Sequence, residues 1–142
     1  YYGWQTHELM CPKSEWREEM RALIAKSAGV VDHGRVGQRE LLLAKARADL
    51  HYYVTTWPEI DCIAVRESAM VGTVPLTSAG GVFAEKEYCV RVKGDPREAA
   101  MQREAARVAI DLVKKGARAE RTAALEAETW DAVSKRWMGF VL

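Results

Sequence analysis

The sequence predicts an α/β fold: a mainly parallel sheet with helices on both faces. Three observations predict it. Short β-branched and aromatic runs alternate with runs of helical period along the chain. Glycine or proline punctuates most of the junctions between them. The 142 residues are 49% hydrophobic and 29% charged, enough to bury a core without disulfide staples. Alternation of this kind in one compact chain implies parallel strands joined by right-handed helical crossovers.

The elements follow in order. Cys11 to Ala28 is expected to be helical: Pro12 and Ser14 precede it, and Trp16, Met20, Leu23 and Ile24 recur at helical spacing, with Gly29 as the stop. Val30-Val31-Asp32-His33 reads as a short strand, and Gly34-Arg35-Val36-Gly37 as a turn. Gln38 to Leu50 is a second expected helix, and His51 to Thr55 a strand closed by Pro58. A short helix from about Cys62 to Met70 ends at Gly72. Thr73 to Thr77 and Tyr88 to Val92 are two further strands. Gly94-Asp95-Pro96 is expected to open a helix, with Asp95 as N-cap and Pro96 at the first helical position. From Ala117 the chain reads as helical to near Phe140, with a break around Thr129. No internal repeat or low-complexity linker intervenes, so residues 1–142 read as one domain.

Composition excludes several classes of function. A formal net charge of +1 provides no field for nucleic acid or an anionic membrane. No apolar run approaches the roughly 18 residues of a membrane-spanning helix. Cys11, Cys62 and Cys89 are odd in number and widely spaced, and His7, His33 and His51 have no partner at ligand spacing. Neither a disulfide framework nor a metal site is expected, and a cytoplasmic or other reducing compartment fits. Tyr1-Tyr2-Gly3-Trp4 reads as the end of a buried strand, so a chain truncated at its N-terminus is expected.

Chemistry concentrates between Tyr53 and Ser78. Glu59 lies in the loop after a strand, and Glu67, with seven residues between, lies inside the next helix. Ligands of such sheets sit outside the carboxyl ends of the strands, which directs attention to Gly34–Gly37, Thr56–Cys62 and Ser78–Val82. The helix start near Asp61 presents backbone N–H groups to which a phosphate could bind. The Glu67 carboxylate could accept from two neighbouring ribose hydroxyls, each such bond contributing about 1.5–3 kcal/mol. Both glutamates are expected to point into one open depression.

This stretch resembles the donor-binding, C-terminal domain of the retaining glycosyltransferases of GT-B fold, a Rossmann-like half of a two-domain enzyme. The shared order is a strand with a tyrosine- or proline-containing loop, Glu-seven residues-Glu, a small-residue helix, a glycine, a strand with Val74-Pro75, and the Gly80-Gly81 loop. The resemblance implies that Glu67 binds ribose and that Glu59 lies beside the transferred sugar. It implies that the amides of Ile60, Asp61, Cys62 and Ile63 contact sugar and phosphate, and that Gly34, Arg35 and Val36 border the base. The donor would be a nucleotide-diphosphate sugar, bound without a metal. A glycan or other acceptor would be held by an N-terminal domain that this chain lacks. Thr129-Trp130-Asp131 resembles the closing helix. Asp61 and Cys62 depart from the family, which usually has an aromatic and a small residue there, and the diphosphate-gripping Arg and Lys are missing. Those departures fit a second reading, in which the domain has lost catalysis and serves as a scaffold for a protein partner. A flavodoxin-like or response-regulator-like domain has little support, because no acidic cluster or phosphate loop is visible.

Overall fold

A computed structural model describes residues 14–141. The proposed strand end at Tyr1-Tyr2, together with Trp4, His7 and Cys11, lies outside the described residues, as does the Trp16 side chain. The chain divides into two compact units, Tyr1–Leu41 and Leu42–Leu142.

The first unit carries α1 (Ser14–Lys26) and the start of α2 (Gln38–Arg47). α1 stops where the Ser27 hydroxyl donates to the Leu23 carbonyl at 2.7 Å and Gly29 turns to φ +81°. Val30–His33 is not a strand, contrary to its β-branched composition. The Asp32 carboxylate accepts the Gly34 amide at 2.8 Å, and Gly34 adopts φ +61°, so a tight turn claims this segment instead.

The second unit is α/β. Its elements are β1 (Leu50–Tyr53), α3 (Ile63–Met70), β2 (Val74–Ser78), β3 (Val90–Val92), α4 (Ala99–Lys114), α5 (Ala123–Glu126) and α6 (Trp130–Val141). The three strands form a parallel sheet in the order β1-β2-β3, with Leu50 opposite Val74 and Leu76 opposite Val90. Strand alternation sends side chains to two cores. Leu76 and Val92 pack with Met101 and Ala105 of α4. On the other side Tyr53 packs with Val65 and Ala69 of α3, Phe83, Cys89 and Leu125. The central strand is buried along its whole length, as expected of a parallel strand covered on both faces.

α3 ends as its glycine predicts. The Thr73 amide reaches the Ser68 carbonyl at 2.9 Å and the Gly72 amide reaches that of Ala69 at 3.0 Å, with Gly72 at φ +87°. Three expected helix limits move. α2 ends at Arg47, leaving Leu50 to begin β1. α4 begins at Ala99 with Glu98 in the capping position, because Asp95 binds the Arg97 amide and guanidinium and holds residues 95–98 in a separate turn. Residues 117–122 are not helical: the Ala119 amide bonds the Gly72 carbonyl, and Arg118 reaches the carbonyls of Ala46 and Ala48. The break at Thr129 is present, its hydroxyl accepting the Ala132 amide at 3.2 Å at the start of α6. No described helix is long and apolar enough to cross a membrane.

Candidate functional site

The carboxyl ends of the strands enclose an open cavity of about 410 Å³. Three loops line it: Thr55 to Pro58 after β1, Ser78 to Gly81 after β2, and Gly94 to Arg97 after β3. These loops are tied together. The Ser78 hydroxyl donates to the Thr55 carbonyl at 2.8 Å, the Val82 amide to the Glu59 carbonyl at 2.9 Å, and the Ala79 amide to the Val92 carbonyl at 3.1 Å. Gly81 sits at φ +59°, and a Cβ there would lie 2.8 Å from the Glu59 carbonyl oxygen. The position therefore requires glycine both for its left-handed backbone and for this close approach.

Glu59 follows that loop. The Tyr53 hydroxyl, at the end of β1, donates to Glu59 Oε1 at 2.6 Å and fixes the carboxylate. Tyr53 itself is held edge-on to Phe83, with ring centroids 5.9 Å apart. Ile60 is exposed. Asp61 is not open to a phosphate: its carboxylate accepts Arg66 Nη2 at 3.2 Å and lies 4.0 Å from Lys86 Nζ. Cys62 is buried at the start of α3, and burial pushes its thiol above its ordinary pKa, which suits a packed, protonated group rather than a nucleophile.

Glu59 borders the cavity loop but is not among the cavity's described lining residues, and neither is Glu67. Glu67 lines a separate groove of about 320 Å³ on α3, with Leu42, Ile63, Met70, Arg121 and Trp130. There Lys45 Nζ binds Glu67 Oε2 at 2.8 Å and the Ala64 carbonyl at 3.0 Å. The two glutamates thus occupy different surroundings, because Glu59 precedes the helix while Glu67 is carried along its outer face beside Ile63 and Arg66. Gly34, Arg35 and Val36 belong to the first compact unit.

Sequence reasoning missed the groove's charged wall. Arg66 reads as a solvated helix residue, yet its side chain is only 11% exposed. It lies between Asp61 and Glu128, 3.8 Å from the latter, with its guanidinium carbon 5.5 Å from the Trp130 ring centroid. Glu128 also takes Lys86 Nζ at 2.5 Å and the Tyr88 hydroxyl at 3.0 Å. Burial, then the Glu128 hydrogen bond, raises the Tyr88 phenol far above its ordinary range. Glu128 is distant in sequence from Arg66, Lys86 and Tyr88, and no local spacing announces it. Among the described residues no group of three His, Cys, Asp or Glu could hold a metal ion. Comparison with protein-family models, with curated proteins and with solved structures finds no match.

Proposed function

We propose that this chain is the donor-binding half of a retaining glycosyltransferase of GT-B fold, taking a nucleotide-diphosphate sugar and meeting its glycan or other acceptor through a facing domain. The observation that carries the reading is Glu59. It lies in the loop that joins the carboxyl end of β1 to α3, with its carboxylate oriented by Tyr53 at the strand end. A carboxylate held there can stabilise positive charge as a sugar leaves a diphosphate. The α3 groove supplies the rest of the donor's recognition: the Glu67 carboxylate for ribose hydroxyls, apolar Ile63 and exposed Trp130 for the nucleoside, and Arg66 and Arg121 for negative charge. The free, buried thiols of Cys62 and Cys89 agree with a cytoplasmic or other reducing compartment.

One observation favours the second reading, a glycosyltransferase-like module kept for binding a protein partner. Glu67 and Asp61 are both already engaged, by Lys45 and Arg66, so ribose and phosphate must compete with internal ion pairs. Titration calorimetry of the chain with uridine and guanosine diphosphates separates the readings. Donor-site function requires measurable binding that weakens about ten- to a hundred-fold in Glu67→Ala. Absence of binding to both nucleotides, with the fold intact, transfers the assignment to the scaffold.

A further inference from the structure

We infer that α6 is a self-association surface: its exposed aromatic stripe pairs antiparallel with the same stripe of a second copy of this chain. α6 runs 12 residues, Trp130–Val141, or about 18 Å of helix. Trp130, Val133, Trp137 and Phe140 recur along it at intervals of three, four and three residues, the spacing that lines one face of a helix for pairing with another. Three of the four stand out in solvent: Trp130 is 69% exposed, Trp137 70% and Phe140 89%. Val133 is half-buried. The charged residues lie off this stripe and are engaged within their own chain. Lys135 Nζ binds Asp131 Oδ2 at 2.7 Å, and Arg136 Nη2 donates to the Ala127 carbonyl at 3.2 Å.

The spacing of the stripe selects the partner. With a two-fold axis level with Lys135, antiparallel helices set Trp130 opposite Phe140 of the second copy and Val133 opposite Trp137. Aromatic meets aromatic at the two ends, and near the axis a small side chain faces a large one. A parallel pair would instead set Trp137 against Trp137 and Val133 against Val133, crowding one level and leaving a gap at the next. Charge agrees with the antiparallel register. Arg136 falls level with Ser134 and Asp131 with Gly139, while Lys135 lies on the side of the helix away from the stripe. No like charges therefore face each other along the seam.

The area suits a reversible dimer. Aromatic side chains bury about 150–250 Å² each, so three at these exposures offer on the order of 400 Å² a copy. An apolar patch of that extent marks an interaction site. Two copies together approach about 1,000 Å² once the helix surface between the side chains is counted, the lower limit of a specific interface. Trp137 and Phe140 are not among the described lining residues of the α3 groove, so the inference goes beyond the nucleotide reading and does not depend on it.

Sedimentation velocity on the full chain, from about 1 µM to about 200 µM, tests the pairing around a micromolar Kd. The expected result is a shift from one chain to two across that range. Trp137→Glu and Phe140→Lys should each raise the dimer Kd about tenfold or more. Both positions are exposed, and circular dichroism checks that the variants keep the fold. Orientation is tested by charge exchange. Trp130→Glu and Phe140→Lys should each weaken association alone and regain it when mixed, because the antiparallel register brings the two opposite charges together. A monomer across the whole range overturns the inference. So does a dimer unchanged in Trp137→Glu, or a mixture that associates no better than either variant alone. A monomer that binds phosphatidylcholine–phosphatidylglycerol vesicles through Trp137 would assign the face to a membrane and overturn the second copy as its occupant.

Discussion

Lys45 of α2 and Glu67 of α3 form an ion pair with a separation of 2.8 Å, and the same ammonium reaches the Ala64 carbonyl. The Lys45 and Glu67 side chains keep 12% and 28% of their exposure, so the pair lies between a solvated surface bridge and a buried one. Glu67 therefore has a structural share that its sequence position does not suggest. Glu67→Ala is expected to cost about 1 kcal/mol of stability, well below the 3–5 kcal/mol of a fully buried pair. Glu67→Gln, which keeps the shape, should cost less. Urea denaturation of Lys45→Met, Glu67→Gln and the double variant should show coupling of about 0.5–1 kcal/mol. Strictly additive losses would mean that the pair contributes nothing.

Gly81 and Gly80 are neighbours with opposite expected tolerance. At Gly81 a methyl group meets the Glu59 carbonyl at 2.8 Å and the backbone is left-handed. Gly81→Ala should cost about 2 kcal/mol or more, because strain and clash add. At Gly80 nothing lies within 4 Å and φ is −93°. Gly80→Ala should change stability by less than about 0.5 kcal/mol. Thermal unfolding of the two variants checks the contrast, and equal effects would refute the assigned approach of the two loops.

Tyr53→Phe isolates the hydroxyl that orients Glu59. Phenylalanine keeps the ring against Phe83 and removes the 2.6 Å bond to Glu59. A stability loss of about 1–2 kcal/mol is expected, since the acceptor is a partly buried carboxylate. If Glu59 acts beside the transferred sugar, turnover in the complete enzyme should fall while donor affinity holds, because a misaligned carboxylate matters most as charge develops. A fall in donor affinity with turnover preserved would move Glu59 from the reacting centre to ground-state binding.

The sheet was legible because its signals are local. β-branched runs around Val74, the glycine at Gly72 and the capping hydroxyl of Thr129 act within a turn or two of themselves. Val30–His33 misled because β-branched composition describes what a strand accepts and does not guarantee a neighbour to pair with. Asp95 misled because the guanidinium two residues on outcompetes the helix amides that a cap would serve. The cavity loops after β1 and β2 follow from the parallel sheet alone. The third loop, with Arg97, and the approach of Lys45 to Glu67 and of Lys86 to Asp61 do not, because both lysines are brought in by tertiary packing across long separations.

His51 gives the chain a titration of defined sign. It lies on β1 with Nδ1 2.7 Å from the Ser68 hydroxyl, which in turn lies 3.0 Å from the Ala64 carbonyl. That chain of bonds closes with a neutral imidazole donating to Ser68 and Ser68 donating to Ala64. Burial, and then the nearby Lys45 ammonium, lower the imidazole pKa from 6.5 to about 4. The unfolded chain takes up a proton near pH 6.5 that the folded chain refuses until near pH 4. Stability should therefore fall as pH drops across that interval, by at most about 1.4 kcal/mol per unit and about 3 kcal/mol in total, and level off below it. Asp95 acts in a lower window: Arg97 holds its carboxyl at about 2, so its contribution is lost only as pH falls from about 4 toward 2. Urea titrations at half-unit intervals from pH 7.5 to pH 4 should show the slope, and His51→Gln should flatten it while retaining a hydrogen-bonding partner for Ser68. A slope of the same size in His51→Gln would assign the titration to another group.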